Sequence, residues 1–498
     1  MTSIKTISNK QYALLICLLL IMTALTAPTL NDSYWLDESI NLRQSMQTPS
    51  ETVGWLYNND VHTPLYHVLL NYWMQANQAT NEAVTRTLSL IISVITIITF
   101  FKYTMRFYDE AVALTTTVFL TTSETMLHYS VEVRPYSLLI LLAVLSTYTY
   151  RCWLAEHSRT YIFWYAITLT LLTYTHLFGL LLLASHVAHY VLTQRNNSFH
   201  ISTGDLELAA AYLFTIIMFL PWAVNLASQI QGGNLSWIPS LTPLLLWNTY
   251  QLLFASPHIL LIFIAILPLT WKTTTTHTLT ISWATIPLVI TAVYSLTVQP
   301  ALNQRYLLFT LPALYLLLSD AIHSIPNKWI RRAAITTTLI LFVASSTYPN
   351  HYQRTDWKKA AQHTGADQPI LIHPPFEQES ITYYLNPRCH PITNTTKFTA
   401  CNSDDEIYSV QPNTTCCNNT TELETIDKKL NTLTDQEFQI IHHNLSPNTP
   451  IKDYLEETGN LKLHQELPDT GYKDPRVPYF DNNVLIYNYT PTSSTPNQ

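Results

Sequence analysis

The sequence predicts a polytopic α-helical membrane protein of about eleven transmembrane helices, N-terminus inside and C-terminus outside, followed by a small C-terminal α/β extracytoplasmic domain. Three observations predict it. Charged residues make up 12% of the 498-residue chain, about half the share usual in soluble globular proteins. Apolar segments of helix length recur near 11–30, 84–104, 110–127, 135–154, 161–175, 177–193, 207–225, 258–271, 279–298, 306–323 and 333–348. The basic residues between them keep to one side: Lys102 and Arg106, Arg151 and Arg159, Arg195, Lys272, then Lys328, Arg331 and Arg332 all fall in the even turns, as a cytoplasmic N-terminus requires. A formal net charge of −7, with Lys and Arg in ones and twos, excludes a nucleic-acid-binding surface.

The first apolar run, YALLICLLLIMTALTAPTL, follows Lys5 and Lys10 as a signal peptide would. It has no A-x-A site before Asn31-Asp32, and many more apolar runs follow, so it reads as a retained anchor. A first external loop then spans 31–83. It opens with SYWLDESINL, where Asp37 and Glu38 have no basic neighbour before Arg43. In PLYHVLLNYW, Leu65, Leu69 and Tyr72 share one side of a helix and His67 and Asn71 lie elsewhere; with Trp35, Trp55 and Trp73 the loop suggests helices lying in the membrane interface.

Alone, an Asp-Glu pair in such a loop is a solvated surface. Its company gives it meaning. The same external side carries Glu124 and His128 (LTTSETMLHYS), Glu132 and Arg134 (SVEVRPYSLL), His176, the 226–256 loop and Arg305 (QPALNQRYLLFTLP). A carboxylate near a transmembrane helix centre costs roughly 2.5–3.5 kcal/mol, so Glu124 needs a partner, a cavity or a job; His128, one turn on, is the simplest partner. Arg86, Arg134 and Arg305 are external arginines that either snorkel or offer guanidinium forks to phosphate oxygens at headgroup level. The segment 241–254 (LTPLLLWNTYQLLF) reads as re-entrant or interfacial. No repeat suggests inverted transporter halves.

The domain boundary falls after the last apolar segment: residues 1–349 form the membrane part and 350–498 a polar extracytoplasmic domain with a disordered tail from about 490. QPILIHPPF reads as a buried strand, EQESITYYL as a short helix and NNVLIYNYT as a late strand. Of the six cysteines, Cys17 and Cys152 fall in apolar segments. Cys389, Cys401, Cys416 and Cys417 crowd the polar part, where one or two disulfides can form in three full pairings. Sequons at Asn394, Asn413, Asn418, Asn419, Asn444 and Asn488 fit a translocated face.

Taken in order, WLDESINL, VHTPLYHVLLNYW, RTLSLIISV, SVEVRPYSLL, YTHLFGLLLL, NQRYLLFTLP and RTDWKKAAQHTG resemble the GT-C membrane glycosyltransferases of the protein O-mannosyltransferase and aminoarabinose-transferase type, over about 330 residues. Those polytopic enzymes use polyprenyl-phosphate sugars. The resemblance implies that Asp37 is the catalytic acid, with Glu38 its neighbour. His62 to Tyr66 match the H-P-P-L-Y signature with Thr63 in place of its first proline; Arg134 and Tyr136 match R-x-Y, and Arg305 and Tyr306 the later R-Y. The W-W-D-Y-G signature of oligosaccharyltransferases is absent.

The chemistry so implied is an inverting transfer from a dolichyl or undecaprenyl phosphate donor to a hydroxyl on a protein, lipid or glycan. Asp37 is the general base. Glu38, Glu124 and His62 orient the acceptor, or Asp37, Glu38 and Glu124 hold a divalent cation such as Mg or Mn. Arg134, Arg305, Tyr136 and Tyr306 bind the lipid phosphate. The alternative is a lipid or solute transporter or flippase, which predicts ionisable groups near the bilayer midplane and broken helices there. A noncatalytic scaffold displaying 350–498 is a third reading.

Overall fold

The computed structural model describes residues 7–193, 202–231, 238–270, 275–347 and 356–363, and within the C-terminal part 370–373, 383–384, 397–399, 406–409, 438–443, 459–467 and 484–491. The chain divides into two units, Met1–Leu30 with Gln44–Tyr348, and Asn31–Arg43 with Pro349–Gln498.

In the first unit every expected apolar segment is helical. Six helices are long and apolar enough to cross a membrane: Asn9–Asn31, Glu82–Phe107, Tyr136–Glu156, Thr203–Ile230, His277–Thr297 and Gln304–His323. A seventh span arises if Pro243–Phe254 and Pro257–Ile266, bent by 93°, count as one. Of the others described, Lys328–Thr347 is as long but carries Lys328, Arg331 and Arg332 in its first turns. The 110–127 segment is interrupted: Glu110–Thr122 ends at Ser123, whose backbone is extended (φ −65°, ψ 127°) and whose hydroxyl caps the next helix, Glu124–Ser130. The 306–323 segment starts as a 3-10 turn, Gln304–Thr310, before Leu311–His323. Pro312 explains the restart, since it lacks the N–H that would continue a helix from that turn and suits a first helical turn instead.

Burial runs inside out, as a lipid solvent demands. On the Leu65–Asn77 helix His67 and Asn71 are buried while Leu69 and Tyr72 are exposed. Asn71 Nδ2 donates to the carbonyls of Ser45 (2.8 Å) and Gln47 (2.6 Å). Outward apolar side chains recur on Thr203–Gln231 (Leu213, Ile216, Ile217, Val224) and Thr275–Thr297 (Val289, Val293, Leu296). Buried threonines return their hydroxyls to carbonyls one turn back, as Thr117 does to Ala113 (2.8 Å) and Thr121 to Thr117 (2.7 Å), which keeps polar atoms satisfied away from water.

Three contacts fix the parts that matter below. Leu56, in the Pro49–Asn59 helix, packs with Phe219, Trp222 and Leu226, and Gln229 Nε2 caps that helix by donating to Tyr57 O (2.7 Å). Tyr66 OH donates to Ser89 Oγ (2.8 Å), which donates to Glu132 O (2.7 Å), and Arg134 N closes a tight turn on the same carbonyl (2.8 Å). Gly179 opens the Gly179–Thr193 helix so close to Leu172 that a Cβ would stand 2.8 Å from its carbonyl oxygen.

The second unit carries a six-stranded mixed sheet. Its order is Lys397–Thr399, Glu406–Ser409, Ile370–His373, Phe438–His443, Val484–Pro491, Gly459–Leu467, with the Ile370 strand parallel to both neighbours. The strands expected in QPILIHPPF and NNVLIYNYT are both present. Residues 31–35 join this unit because Tyr34 N donates to Tyr384 OH (2.6 Å) and Lys358 N to Ser33 Oγ (3.2 Å). Asn488 lies within the sheet, its Oδ1 accepting from Gln439 Nε2 (3.0 Å). The other five sequons, the four clustered cysteines and the tail from 492 lie outside the described residues.

Candidate functional site

The Pro49–Asn59 helix stops at Asp60, whose backbone turns extended. Its carboxylate then folds onto the chain two residues ahead: Oδ1 accepts from His62 N (3.0 Å) and from His62 Nδ1 (2.6 Å), while Oδ2 accepts from Gln44 Nε2 (3.2 Å). This is an Asx turn, a geometry Asp makes from its own backbone. Burial alone would raise the Asp60 pKa, but the positive field and hydrogen bonds of His62, then the field of His67, hold it well below the usual carboxylate range. Asp60 is a fixed anion.

The far nitrogen of His62, Nε2, lies 3.2 Å from Arg134 Nη2. Arg134, buried in the turn before Pro135, also sets its guanidinium 5.7 Å from the Tyr136 ring centroid. Tyr136 meets Tyr129 (5.2 Å between ring centres) and His176 (6.2 Å), and His176 meets Tyr306 (4.9 Å). His176 Nδ1 accepts from Phe178 N (3.2 Å). Burial, then the charges of His62, Arg134 and Arg305, push the His176 pKa well below its ordinary value, so the ring is neutral with its proton on Nε2. His67 is pushed down to about 3, mainly by burial and then by His62.

Of these side chains His62, His176, Phe178 and Tyr306 line a cavity of about 220 Å³. Its wall is mostly apolar, with Leu177, Phe178, Ile230 and Ile290 among its residues, and its polar groups include His62, Thr63, His176 and Tyr306. Thr63 is 2% exposed and its hydroxyl has no hydrogen-bond partner among the described residues, an unusual state for a buried polar atom.

His62, Arg134, Tyr136 and Tyr306 are thus brought together, and Arg305, whose N–H is capped by Asn303 Oδ1 (3.3 Å), acts on the same His176. Glu124 lies on another element. It is buried in the first turn of its helix, where the dipole favours a carboxylate, and its neighbour Ser123 bonds Tyr315 OH (2.6 Å). Arg86 corrects an expectation: it is fully buried and its Nη1 donates to Thr29 O and Leu30 O (both 3.1 Å), so it ties down the end of the first helix and is not a phosphate fork. Asp60 and His176 were absent from the residues singled out for chemistry.

In the second unit, Asp37 and Glu38 occupy the first turn of the Leu36–Ser45 helix, again the end whose dipole favours anions. Glu38 is fully buried, its Oε2 3.4 Å from Trp35 N. Burial pushes the Arg43 pKa down to about 10. Among the described residues no group of three or more His, Cys, Asp or Glu side chains is gathered as a metal site.

No protein-family model matches the chain, and no curated protein matches it. Solved structures do. Over 97% of this chain and 98% of the other, it superposes on ArnT from Cupriavidus metallidurans bound to undecaprenyl phosphate, with a TM-score of 0.59 at 10% identity. The fold is that of the GT-C glycosyltransferases. Two further likenesses agree: the arabinofuranosyltransferase AftD from Mycobacteria (TM-score 0.53, 15% identity, 97% of this chain and 42% of that one) and the oligosaccharyltransferase of Archaeoglobus fulgidus (TM-score 0.53, 12% identity, 97% and 74%). The GT-C fold expected from the order of motifs is therefore met.

Proposed function

We propose that this protein is a membrane glycosyltransferase that moves a sugar from a polyprenyl-phosphate donor to a hydroxyl acceptor on the extracytoplasmic side. The observation that carries the reading is the run of contacts from Arg134 to His62 and through Tyr136 to His176 and Tyr306, of which His62, His176 and Tyr306 line one cavity, in a chain with the GT-C fold. Guanidinium groups and a neutral histidine N–H suit a phosphate oxygen, and the apolar wall suits the isoprenoid units beside it.

In this reading Asp37 accepts the proton of the attacking hydroxyl while polyprenyl phosphate leaves from the opposite face of the anomeric carbon, which inverts the configuration. Arg134 and Arg305 offset the charge growing on the leaving phosphate. Glu38 and Glu124 orient the acceptor, which is a protein, lipid or glycan. The eleven-helix count, with the N-terminus inside and the C-terminal domain outside, belongs to the same proposal. No observation favours the transporter alternative: the matched structures are glycosyltransferases, and the clustered charges lie at the helix ends.

Membranes carrying the unaltered or the Asp37→Asn protein, given a panel of radiolabelled polyprenyl-phosphate sugars and an acceptor extract, test the reading. Label should leave the lipid with the unaltered protein only. Equal release by Asp37→Asn removes Asp37 from the mechanism, and no release from any donor removes the activity.

A further inference from the structure

Asp60 and His62 form a chain with Arg134 whose hydrogen bonding admits one proton arrangement. A carboxylate can only accept, so His62 Nδ1, 2.6 Å from Asp60 Oδ1, carries the proton. A guanidinium can only donate, so His62 Nε2, 3.2 Å from Arg134 Nη2, offers its lone pair. A proton on Nδ1 with Nε2 left to accept satisfies both partners at once. The opposite tautomer sets N–H against N–H at Arg134.

The anchor of this chain is rigid at its far end. Asp60 is bonded at both oxygens, and the helix it terminates is packed on Leu226 and capped by Gln229. Arg134 is fixed by the backbone bond to Glu132 O and by its place over Tyr136. With Nη2 held by His62, the fork keeps one orientation beside His62, which lines the cavity.

We infer that Asp60 and His62 are positioning residues: Asp60 fixes the His62 tautomer, and His62 Nε2 aims the Arg134 guanidinium at the phosphate of the lipid donor. The inference rests on the donor reading above. Neither residue touches the reacting atoms. A buried hydrogen bond to a charged group that orients a binding group accounts for about a tenfold change in affinity.

Asparagine and glutamine separate the two nitrogens of His62. Asparagine reproduces Nδ1 and keeps the bond to Asp60; glutamine reaches the position of Nε2 and can still accept from Arg134. The full-length protein in nanodiscs is titrated with undecaprenyl phosphate, and thermal unfolding is measured on the same samples. His62→Asn should weaken binding about tenfold and His62→Gln less than about threefold, with unfolding temperatures alike. In an Arg134→Ala background His62→Asn should add no further loss. Asn and Gln variants that bind equally well, or a full additional loss in the Arg134→Ala background, overturn the inference and leave the donor reading standing. Absence of binding by the unaltered protein overturns the donor reading and the inference with it.

Discussion

The two ends of the helices in the first unit use charge in opposite ways. At one end, around the C-terminus of Tyr136–Glu156 and the N-terminus of Thr275–Thr297, charges close on each other: Arg106 with Glu156, His277 with Asp320 at 2.8 Å, and His323 with Thr115 at 2.9 Å. At the other end Asp60, His62 and Arg134 form a series whose His62 lines a cavity together with His176, Tyr306 and Thr63. The first end satisfies its charges for stability. The second leaves donors facing a space that a ligand can fill.

The sharpest way to break this contrast is to remove a charge at each end. Arg134→Ala should lower transfer from the lipid donor by about a hundredfold, the scale of losing one preorganised group that meets transition-state charge, while Arg106→Gln should leave transfer per folded molecule within about threefold, as for a partly exposed ion pair. Turnover assays on matched amounts of folded protein decide it. Equal losses would erase the distinction between the ends.

Acid should act on the open end next. His67, held at about 3, and His176, held well below its ordinary value, refuse in the folded state a proton that the unfolded chain takes below about 6.5. Stability is thus unaffected above that value and falls as pH drops below it, by at most about 1.4 kcal/mol per pH unit for each histidine. Unfolding temperatures between pH 7.5 and 5 check the sign, and His67→Gln should flatten the slope; a slope unchanged by that substitution contradicts the assignment.

Smaller effects sharpen the picture. Gly179→Ala forces a Cβ to 2.8 Å from Leu172 O and should cost about 1–3 kcal/mol of stability, with transfer falling further because the His176 turn moves. Thr63→Val keeps shape and removes the hydroxyl. It should raise the donor KM several-fold without lowering the unfolding temperature, on the order of one lost hydrogen bond, and an unchanged KM means the hydroxyl meets no ligand.

Much of this was legible in the sequence. Segment length and hydropathy located the long apolar helices but not the Pro49–Asn59 helix, and the proline at 135 marked where Arg134 stands. The break at Ser123 was not legible, because serine scarcely lowers the mean hydropathy of a long window and its capping role appears only with the backbone turn. Asp60 was missed for a related reason: in NNDVHT it looks like one more polar loop residue, and only the Asx turn brings its carboxylate to His62 Nδ1. The D-x-H spacing was the available signal. Arg86 misled in the other direction, since nothing in EAVTRTLSL tells a phosphate fork from a guanidinium bonded to the carbonyls of Thr29 and Leu30.

The central claim is that the open end reads a lipid phosphate. The most direct measurement compares the affinities of purified protein, unaltered and Arg134→Ala, for undecaprenyl phosphate and for the uncharged polyprenol of the same length. The account requires the unaltered protein to prefer the phosphate at least about tenfold, and Arg134→Ala to lose most of that preference while polyprenol binding stays the same. Equal affinity of the unaltered protein for the two lipids would contradict it.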